Sequence, residues 1–299
     1  MSDASNASTD TDSLHLWQAE RPRLLGLAYT VLGSWQDAED VVSEAWLRLE
    51  SASGSGGEPR DVSAWSTTVV SRLALDAATT AAKRRESYVG PWLPEVVLED
   101  AGPADRVVLG EQVDLAFVRL LQTLSPLDRV IVVLADVAGM GHAQIAELVG
   151  TTPSATRQRL RRARTSLSKE PDGSDGGDGA SPVVADRAAL DNLAEALNAG
   201  DLQALVEQLS EDCVLWTDSG GFSRAARNPI IGSSKVVRFL DGLIGKYGMP
   251  ELSVVEASGG ALLRADSSDL TRGITLEVVD GKVTGLQIQQ NPEKIIRRG

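Results

Sequence analysis

Arg157, Arg159, Arg161, Arg162 and Arg164 fall within residues 157–164, a stretch with no acidic side chain. Guanidinium groups at that density contact phosphate oxygens and, as bidentate donors, the major-groove edge of guanine. Ser154 and Thr156 stand just before them as shorter hydrogen-bonding groups. The whole chain carries a net charge of -13. Nucleic acid therefore repels it except where such an island faces the phosphates, which leaves room for a partner to supply the rest of the positive field. A solvated basic face on a helical bundle is the blander reading, and the acidity of the remainder argues against it. Catalysis has less to work with. The histidines are His15 and His142, and with the single Cys213 they make no zinc site. Acid–base work near neutral pH needs a group tuned to that range, and no histidine occurs from residue 182 onward. Asp218, beside Trp216, is either a desolvated carboxylate or, before Ser219-Gly220-Gly221, a turn residue; the turn reading is preferred. Glu211 and Asp212 precede Cys213, raising the thiol's pKa and dulling it as a nucleophile. No metal, no cofactor and no catalysis are expected.

A helix must aim the arginines. Thr152-Pro153 opens one, with Thr as N-cap and Pro at the first helical position. Thr156, Leu160, Ala163 and Leu167 then form one inward stripe. Upstream, Ser125-Pro126 opens another helix, with Asp128 in its first turn and Val130, Ile131, Leu134 and Val137 at helical spacing. Ala138-Gly139-Met140-Gly141 breaks it. A short helix carrying Ile145, Ala146, Leu148 and Val149 stops at Gly150, where a left-handed cap is expected. This succession suits a helix-turn-helix whose recognition helix lies in a major groove.

Residues 1–13 are polar and acidic and are expected to be disordered. A helix over 14–32 places Leu24, Leu27, Ala28 and Val31 on one side. Ser34-Trp35-Gln36-Asp37 starts the next in the manner of a capping box, with Asp where Glu is commoner. Its apolar face is Ala38, Val41, Val42, Ala45, Trp46 and Leu49; the other holds Asp37, Glu39, Asp40 and Glu44 against one Arg48. Such a surface is either solvated or docks a basic partner. After a Gly/Ser loop at 51–59, a third helix spans about 64–82 through Trp65, Val69, Leu73 and Ala77, and ends in Lys83-Arg84-Arg85. Aromatic and basic groups together suit single-stranded nucleic acid, although a tryptophan there is more often a core residue. Next comes Tyr88-Val89-Gly90-Pro91-Trp92-Leu93-Pro94-Glu95. Its prolines exclude a regular helix, and Trp92 and Leu93 need a cover.

Residues 169–181 form a Gly/Asp/Ser linker. Beyond it, helices carry Leu190, Leu193, Ala194 and Leu197, then Leu202, Leu205, Val206 and Leu209, and later Val236, Leu240, Leu243 and Tyr247. Strand patterns fall at 214–217, 252–257, 261–264, 274–279 and 283–289, with Asp280-Gly281 as a two-residue hairpin turn. Helices followed by a curled antiparallel sheet predict an α+β cone, able to hold an apolar pocket for an unidentified small ligand. No apolar stretch is long enough to span a bilayer, and a lone cysteine fits a reducing compartment. A cytoplasmic protein without a membrane partner is expected.

Several motifs resemble one family. Gly33-Ser34-x-x-Asp37-Ala38-Glu39-Asp40-Val41-Val42-x-Glu44-Ala45-Trp46-Leu47 resembles the polymerase-binding helix of extracytoplasmic-function (ECF) sigma factors. Residues 65–76 resemble their −10 helix, and the helix-turn-helix their −35 reader. The resemblance implies that Asp37, Glu39, Asp40 and Glu44, with Trp46 packed beneath, face core RNA polymerase. It implies that promoter DNA meets Trp65, Arg72, Lys83, Arg84, Arg85, Ser154, Thr156, Arg157, Arg159, Arg161 and Arg162. At Arg72 many relatives carry Asn, in the pocket for a flipped-out promoter base, so an altered base preference is implied. Residues 92–96 are similar to the Trp-Leu-Pro-Glu-Pro linker of a subgroup with a C-terminal SnoaL-like (NTF2-like) domain, Val96 replacing the last Pro. Asp218-Ser219-Gly220-Gly221 is similar to that subgroup's Asp-Gly-Gly-Gly motif, with Ser219 for a Gly and Phe222 where a basic residue is usual. Asn291-Pro292-Glu293-Lys294-Ile295 is similar to its Asn-Pro-Asp-Lys-Leu tail. Regulation by the C-terminal domain in cis is implied, through Trp92, Leu93, Pro94, Asp218, Gly220, Gly221, Asn291 and Pro292.

The expected chain is multidomain: a disordered 1–13, a sigma-2-like helical domain at 14–87, a linker at 88–104, a sigma-4-like helix-turn-helix domain at 105–168, a flexible linker at 169–181, and a SnoaL-like α+β cone at 182–299. The expected function is an alternative sigma factor that binds core polymerase and recognises −10 and −35 promoter elements. The rival is a ligand-responsive DNA-binding regulator, or a SnoaL-like pocket enzyme, carrying a helix-turn-helix. The acidic helix at 37–49 favours the first, because a repressor needs no polymerase-docking surface.

Overall fold

In a computed structural model, which describes residues 3–54, 57, 59–99, 115–168, 183–184, 187–257 and 260–298, helix α1 covers Asp3–Leu32. Residues 3–13, expected to be disordered, are therefore an extension of that helix. Lengthening a helix adds one hydrogen bond per residue without the cost of nucleation. Gly33, at φ 65, closes α1, and the Ser34 hydroxyl accepts from the Asp37 amide at 3.2 Å to start α2 (Trp35–Gly54). This helix runs past residue 51, where a loop was expected. Leu24, Leu25, Tyr29 and Leu32 meet Trp35, Val42, Ala45 and Leu49 in the core. Trp35, without an assigned role from the sequence, is a core residue whose ring lies 6.0 Å from that of Tyr29.

Helix α3 (Val62–Arg85) buries Ser66, Val70, Ser71, Ala74, Ala78 and Ala81. The expected stripe of Trp65, Val69, Leu73 and Ala77 is only half-buried. Both stripes have helical spacing, and the inward one carries the smaller side chains.

The helix-turn-helix follows its local signals. Ser125 caps α5 (Pro126–Val132), accepting from the Asp128 amide at 3.2 Å. A π turn over Val133–Val137 extends it. Gly150, at φ 70, ends α6 (His142–Val149), and Thr152 accepts from the Ala155 amide at 3.2 Å to open α7 (Pro153–Ser168). Arg129, 3% exposed, donates to the carbonyls of Val31 at 2.9 Å, Leu121 at 3.0 Å and Leu124 at 3.2 Å. It thus joins the last turn of α1, where helix carbonyls favour a cation, to the segment leading into α5.

These helices form one of two compact units. The other takes β1 (Val96–Glu99), α4 (Leu115–Leu121) up to Leu120, and everything from β2 (Val183–Val184) onward. Its helices α8 (Arg187–Ala199), α9 (Leu202–Gln208) and α10 (Ser233–Tyr247) accompany β3 (Leu209–Asp218), β4 (Ile230–Ile231), β5 (Glu251–Ala257), β6 (Gly260–Asp266), β7 (Thr271–Val279), β8 (Lys282–Gln289) and β9 (Ile295–Arg298). The sheet order is β4-β3-β8-β7-β6-β5-β1-β9, with β2 on β7. Asp280 and Gly281, at φ 49 and 74, make the turn between β7 and β8. Leu263, Ala265, Ile274, Leu276, Leu286 and Ile288 share a core with Leu190, Leu193, Val236 and Leu240 of the helices. By alternation, Gly273, Thr275, Glu277, Gln287 and Gln289 face the other way, and Leu93, Pro94, Val96 and Leu115 lie over all of these but Glu277.

The expected linker at 88–104 is therefore part of the cone as far as Glu99. Leu98 pairs antiparallel with Ala257 of β5, and 96–99 pair parallel with 295–298. The remainder of that linker and all of the one at 169–181 lie outside the described residues.

Candidate functional site

Asp218 ends β3 fully buried. Its Oδ1 accepts from the Tyr88 hydroxyl at 2.6 Å and the Gly220 amide at 3.0 Å. Its Oδ2 accepts from the Leu93 amide at 2.9 Å, Lys294 Nζ at 2.7 Å and Gln289 Nε2 at 3.4 Å. The preferred turn reading described only one of these bonds. Gly220 and Gly221 supply the turn at φ 58 and 86. Asn291 caps a 3-10 turn begun by Pro292, accepting from the Glu293 amide, and its Nδ2 donates to the Tyr88 hydroxyl at 3.0 Å. Gln289 Nε2 also donates to the Pro94 carbonyl at 2.9 Å. Leu93 is 2% exposed, Pro94 is buried and Trp92 half-buried. The structure thus brings together Trp92, Leu93, Pro94, Asp218, Gly220, Gly221, Asn291 and Pro292. It adds Tyr88, Gln289 and Lys294, for which the sequence suggested no role beyond membership of the motifs around them.

Lys294 Nζ also donates to the Leu93 carbonyl at 3.0 Å and lies 4.4 and 4.2 Å from the ring centroids of Tyr88 and Trp92. Burial lowers its pKa from 10.5 to about 8, against the pull of Asp218. Burial and the Asp218 carboxylate push the Tyr88 hydroxyl up, so it remains a donor. At neutral pH the clamp therefore holds a charged lysine on a carboxylate. Between pH 8 and 10.5 the unfolded chain keeps a proton that the folded clamp has released. The contribution of this group to stability thus rises with pH through that window and is lost as pH falls through about 8. Denaturation of wild type and Lys294→Met at a series of pH values should show this rise in the wild type alone. Parallel curves would mean that Lys294 is not desolvated.

A second buried pair lies on the same face of the sheet. Arg119 of α4 donates to Glu277 Oε1 at 2.9 Å and sits 3.4 Å from the Trp216 ring centroid. Gln287 donates to the same oxygen at 2.8 Å. The sequence reading missed this cluster; a Glu among the residues of a buried strand was its one visible signal. Cys213 is buried, and burial first, then Asp212 and Glu277, raises its thiol to about 12.

On α7, Ser154, Arg157, Arg161 and Arg162 are exposed. Thr156 is wholly buried and its hydroxyl lies 2.9 Å from that of Thr151, so it supports the helix and does not present a contact to DNA. Arg159 is paired with Asp128 at 2.7 Å, and Arg164 with Asp136. Lys83 and Arg84 are exposed, whereas the guanidinium of Arg85 lies 3.3 Å from the Trp92 ring centroid. Trp65 is half-buried rather than a core residue. Arg72 is exposed and donates to the Leu148 carbonyl of α6 at 3.4 Å. On α2, Asp40 and Glu44 are exposed, while Asp37 and Glu39 are half-buried. Glu44 pairs with Arg48 at 2.8 Å. Trp46 is half-buried, its ring 5.4 Å from that of Trp17.

Comparison with known proteins agrees with this layout. The Sigma-70 region 2 family matches residues 16–84 and the Sigma-70, region 4 family residues 114–167. The chain is 38% identical over 295 residues to the ECF RNA polymerase sigma factor SigJ of Mycobacterium tuberculosis (strain ATCC 25618 / H37Rv), covering 93% of this chain and 91% of that protein. It is 35% identical over 203 residues to the probable ECF RNA polymerase sigma factor SigI of Mycobacterium tuberculosis (strain CDC 1551 / Oshkosh), or 64% of this chain and 65% of that one. The crystal structure of Mycobacterium tuberculosis SigJ matches at a TM-score of 0.74 and 33% identity, over 94% of this chain and 97% of that one. The region 2 and region 4 matches fall on the helices that carry the acidic and basic faces, and the likeness to SigJ continues through the SnoaL-like cone. This chain belongs to the extracytoplasmic-function family of RNA polymerase sigma factors, which bind core polymerase and direct it to promoters.

Proposed function

We propose that the C-terminal cone regulates promoter use in cis by clamping the segment around residues 88–99. The observation that carries this reading is the Asp218 carboxylate, which joins Tyr88 and the Leu93 amide to Gln289 and Lys294 in one buried cluster. Such a clamp gives the cone a grip on the connection between regions 2 and 4. The same reading assigns Asp37, Glu39, Asp40 and Glu44 to core polymerase, and Arg157, Arg161 and Arg162 to the −35 element, with Ser154 as a shorter contact. Trp65 and Arg72 of α3, with Lys83 and Arg84 behind them, face the −10 element. The cone acts here as a regulator and not as an enzyme: the oxygens of Asp218 are already engaged, and Cys213 is held as a buried thiol. Work on core polymerase places the protein in the cytoplasm, and among the described residues no helix is long and apolar enough to cross a membrane.

Transcription reconstituted with core polymerase tests this reading. Removal of residues 291–299, or Trp92→Ala, should change promoter-dependent output at equal protein level. If both variants match the intact chain, the cone is a passenger. Asp40→Lys with Glu44→Lys should abolish recovery of core enzyme, since reversed charges repel the docking face. Arg157→Ala should weaken promoter binding by about 1–3 kcal/mol if it reads a base, and relax specificity at one position. Unchanged binding by core would remove the acidic helix from the interface, and unchanged promoter affinity would do the same for Arg157.

A further inference from the structure

Helices and sheet do not close fully at one end of the cone. Between the end of α10, the turn at 248–250 and strands β5–β8 lies a cleft of about 80 Å³. Leu240, Leu243, Ile244, Leu252, Ile274 and Ile288 line it. Tyr247 and Met249, large side chains 55% and 40% exposed, stand at its rim. One charged group enters this apolar wall, the half-buried guanidinium of Arg272. Its Nε donates to Gln290 Oε1 at 3.2 Å and its Nη1 to Ser267 Oγ at 3.0 Å, both neutral acceptors. Among the described residues no carboxylate pairs with it, and Nη2 has no hydrogen-bond partner. Burial lowers its pKa, opposed only by Tyr247. A partly desolvated cation with neutral partners gains most from an anion, and a guanidinium gains most from a planar one held by two bonds.

We propose that this cleft binds a small carboxylate with a short apolar body, the body among Leu243, Ile244 and Ile274 and the head group on Arg272. Size limits the class. One water needs roughly 10–15 Å³ of such space, so the cleft admits a body of about six carbon atoms, with any longer tail passing Tyr247 into solvent. The flexible, polarisable Met249 suits a rim that adapts to its ligand. The site adjoins the clamp through two short links. Gln290, which holds Arg272, donates its backbone amide to the Asp218 carbonyl at 2.8 Å. On β8, Ile288 lines the cleft while the next residue, Gln289, faces the Pro94 carbonyl. Binding itself does not rest on regulation in cis; an effect of the ligand on transcription does.

Calorimetric titration of the full chain with sodium hexanoate, benzoate and 1-hexanol tests the site. Hexanoate or benzoate should saturate it, and 1-hexanol, which has the chain without the charge, should bind roughly tenfold more weakly. Arg272→Gln should bring hexanoate down to the level of 1-hexanol. Leu243→Trp, which fills a half-buried wall position with a larger apolar group, should abolish binding of both. Melting curves of each variant establish that it is folded before it is titrated. Three results would overturn the proposal: no saturable binding of either carboxylate up to about 10 mM, equal binding of hexanoate and 1-hexanol, or hexanoate binding unchanged in Arg272→Gln or Leu243→Trp. Saturable, Arg272-dependent binding that leaves promoter-dependent transcription unchanged upholds the site and removes only its link to the clamp.

Discussion

Asp218→Ala should destabilise the clamp by about 3–5 kcal/mol, the cost of leaving a buried charge without its partner. The Lys294 ammonium would remain among Tyr88, Trp92 and the Leu93 carbonyl with no carboxylate beside it. The Tyr88 hydroxyl and the Leu93 amide would lose their acceptor as well. Because a chain of two units need not unfold in one step, the informative measurement is amide hydrogen exchange at β1 and β9. Their amides should exchange faster by a factor corresponding to the lost stability, while those of α1 and α2 keep their protection. Asp218→Asn, which retains the shape and one accepting oxygen, should fall between alanine and wild type. If alanine leaves exchange at 96–99 unchanged, the carboxylate does not hold the linker strand in place. Promoter-dependent transcription by the same variant separates a structural clamp from a regulatory one.

The Arg119–Glu277 pair should show the second large effect. The two side chains are 14% and 8% exposed, so Arg119→Met alone leaves a buried carboxylate whose remaining side-chain donor among the described residues is Gln287. A loss of about 3–5 kcal/mol is expected. Burial lowers the basicity of Arg119 against the opposing pull of Glu277, in keeping with a charge withdrawn from water. Replacing both, as Arg119→Met with Glu277→Leu, should cost much less than the sum of the single changes, because no charge is stranded. A double-mutant cycle on thermal or denaturant unfolding gives the coupling. Additive single effects would mean that the pair is adjacent without being coupled. The result matters for function because the region 4 match begins at residue 114 and so includes α4, yet Arg119 of that helix is held on the cone.

Helix caps and turns were legible because each is made within a few residues. Ser125, Gly150, Thr152 and Asp280-Gly281 act where their residue types placed them. The long strands of the cone were legible for a related reason: period-two alternation over seven to nine residues leaves little choice of face. The motifs at 92–95, 218–221 and 291–295 were visible as strings. Their joint geometry was not, since Asn291 and Tyr88 are 203 residues apart and meet only through the fold. Strands β1 and β9, of four residues each, were missed because so short a segment has no readable period and becomes a strand only when a distant partner supplies its hydrogen bonds. The inward face of α3 was misplaced by one position, since two adjacent stripes satisfy the same spacing and only packing chooses between them. The same limit applied to the charged side chains. Sequence marked Thr156 and Arg159 as DNA contacts by type, but tertiary structure buried the first and paired the second with Asp128. Local chemistry specifies what a side chain is able to do, whereas burial and the nearest opposite charge, set by elements far away in the chain, decide which of those abilities remains free.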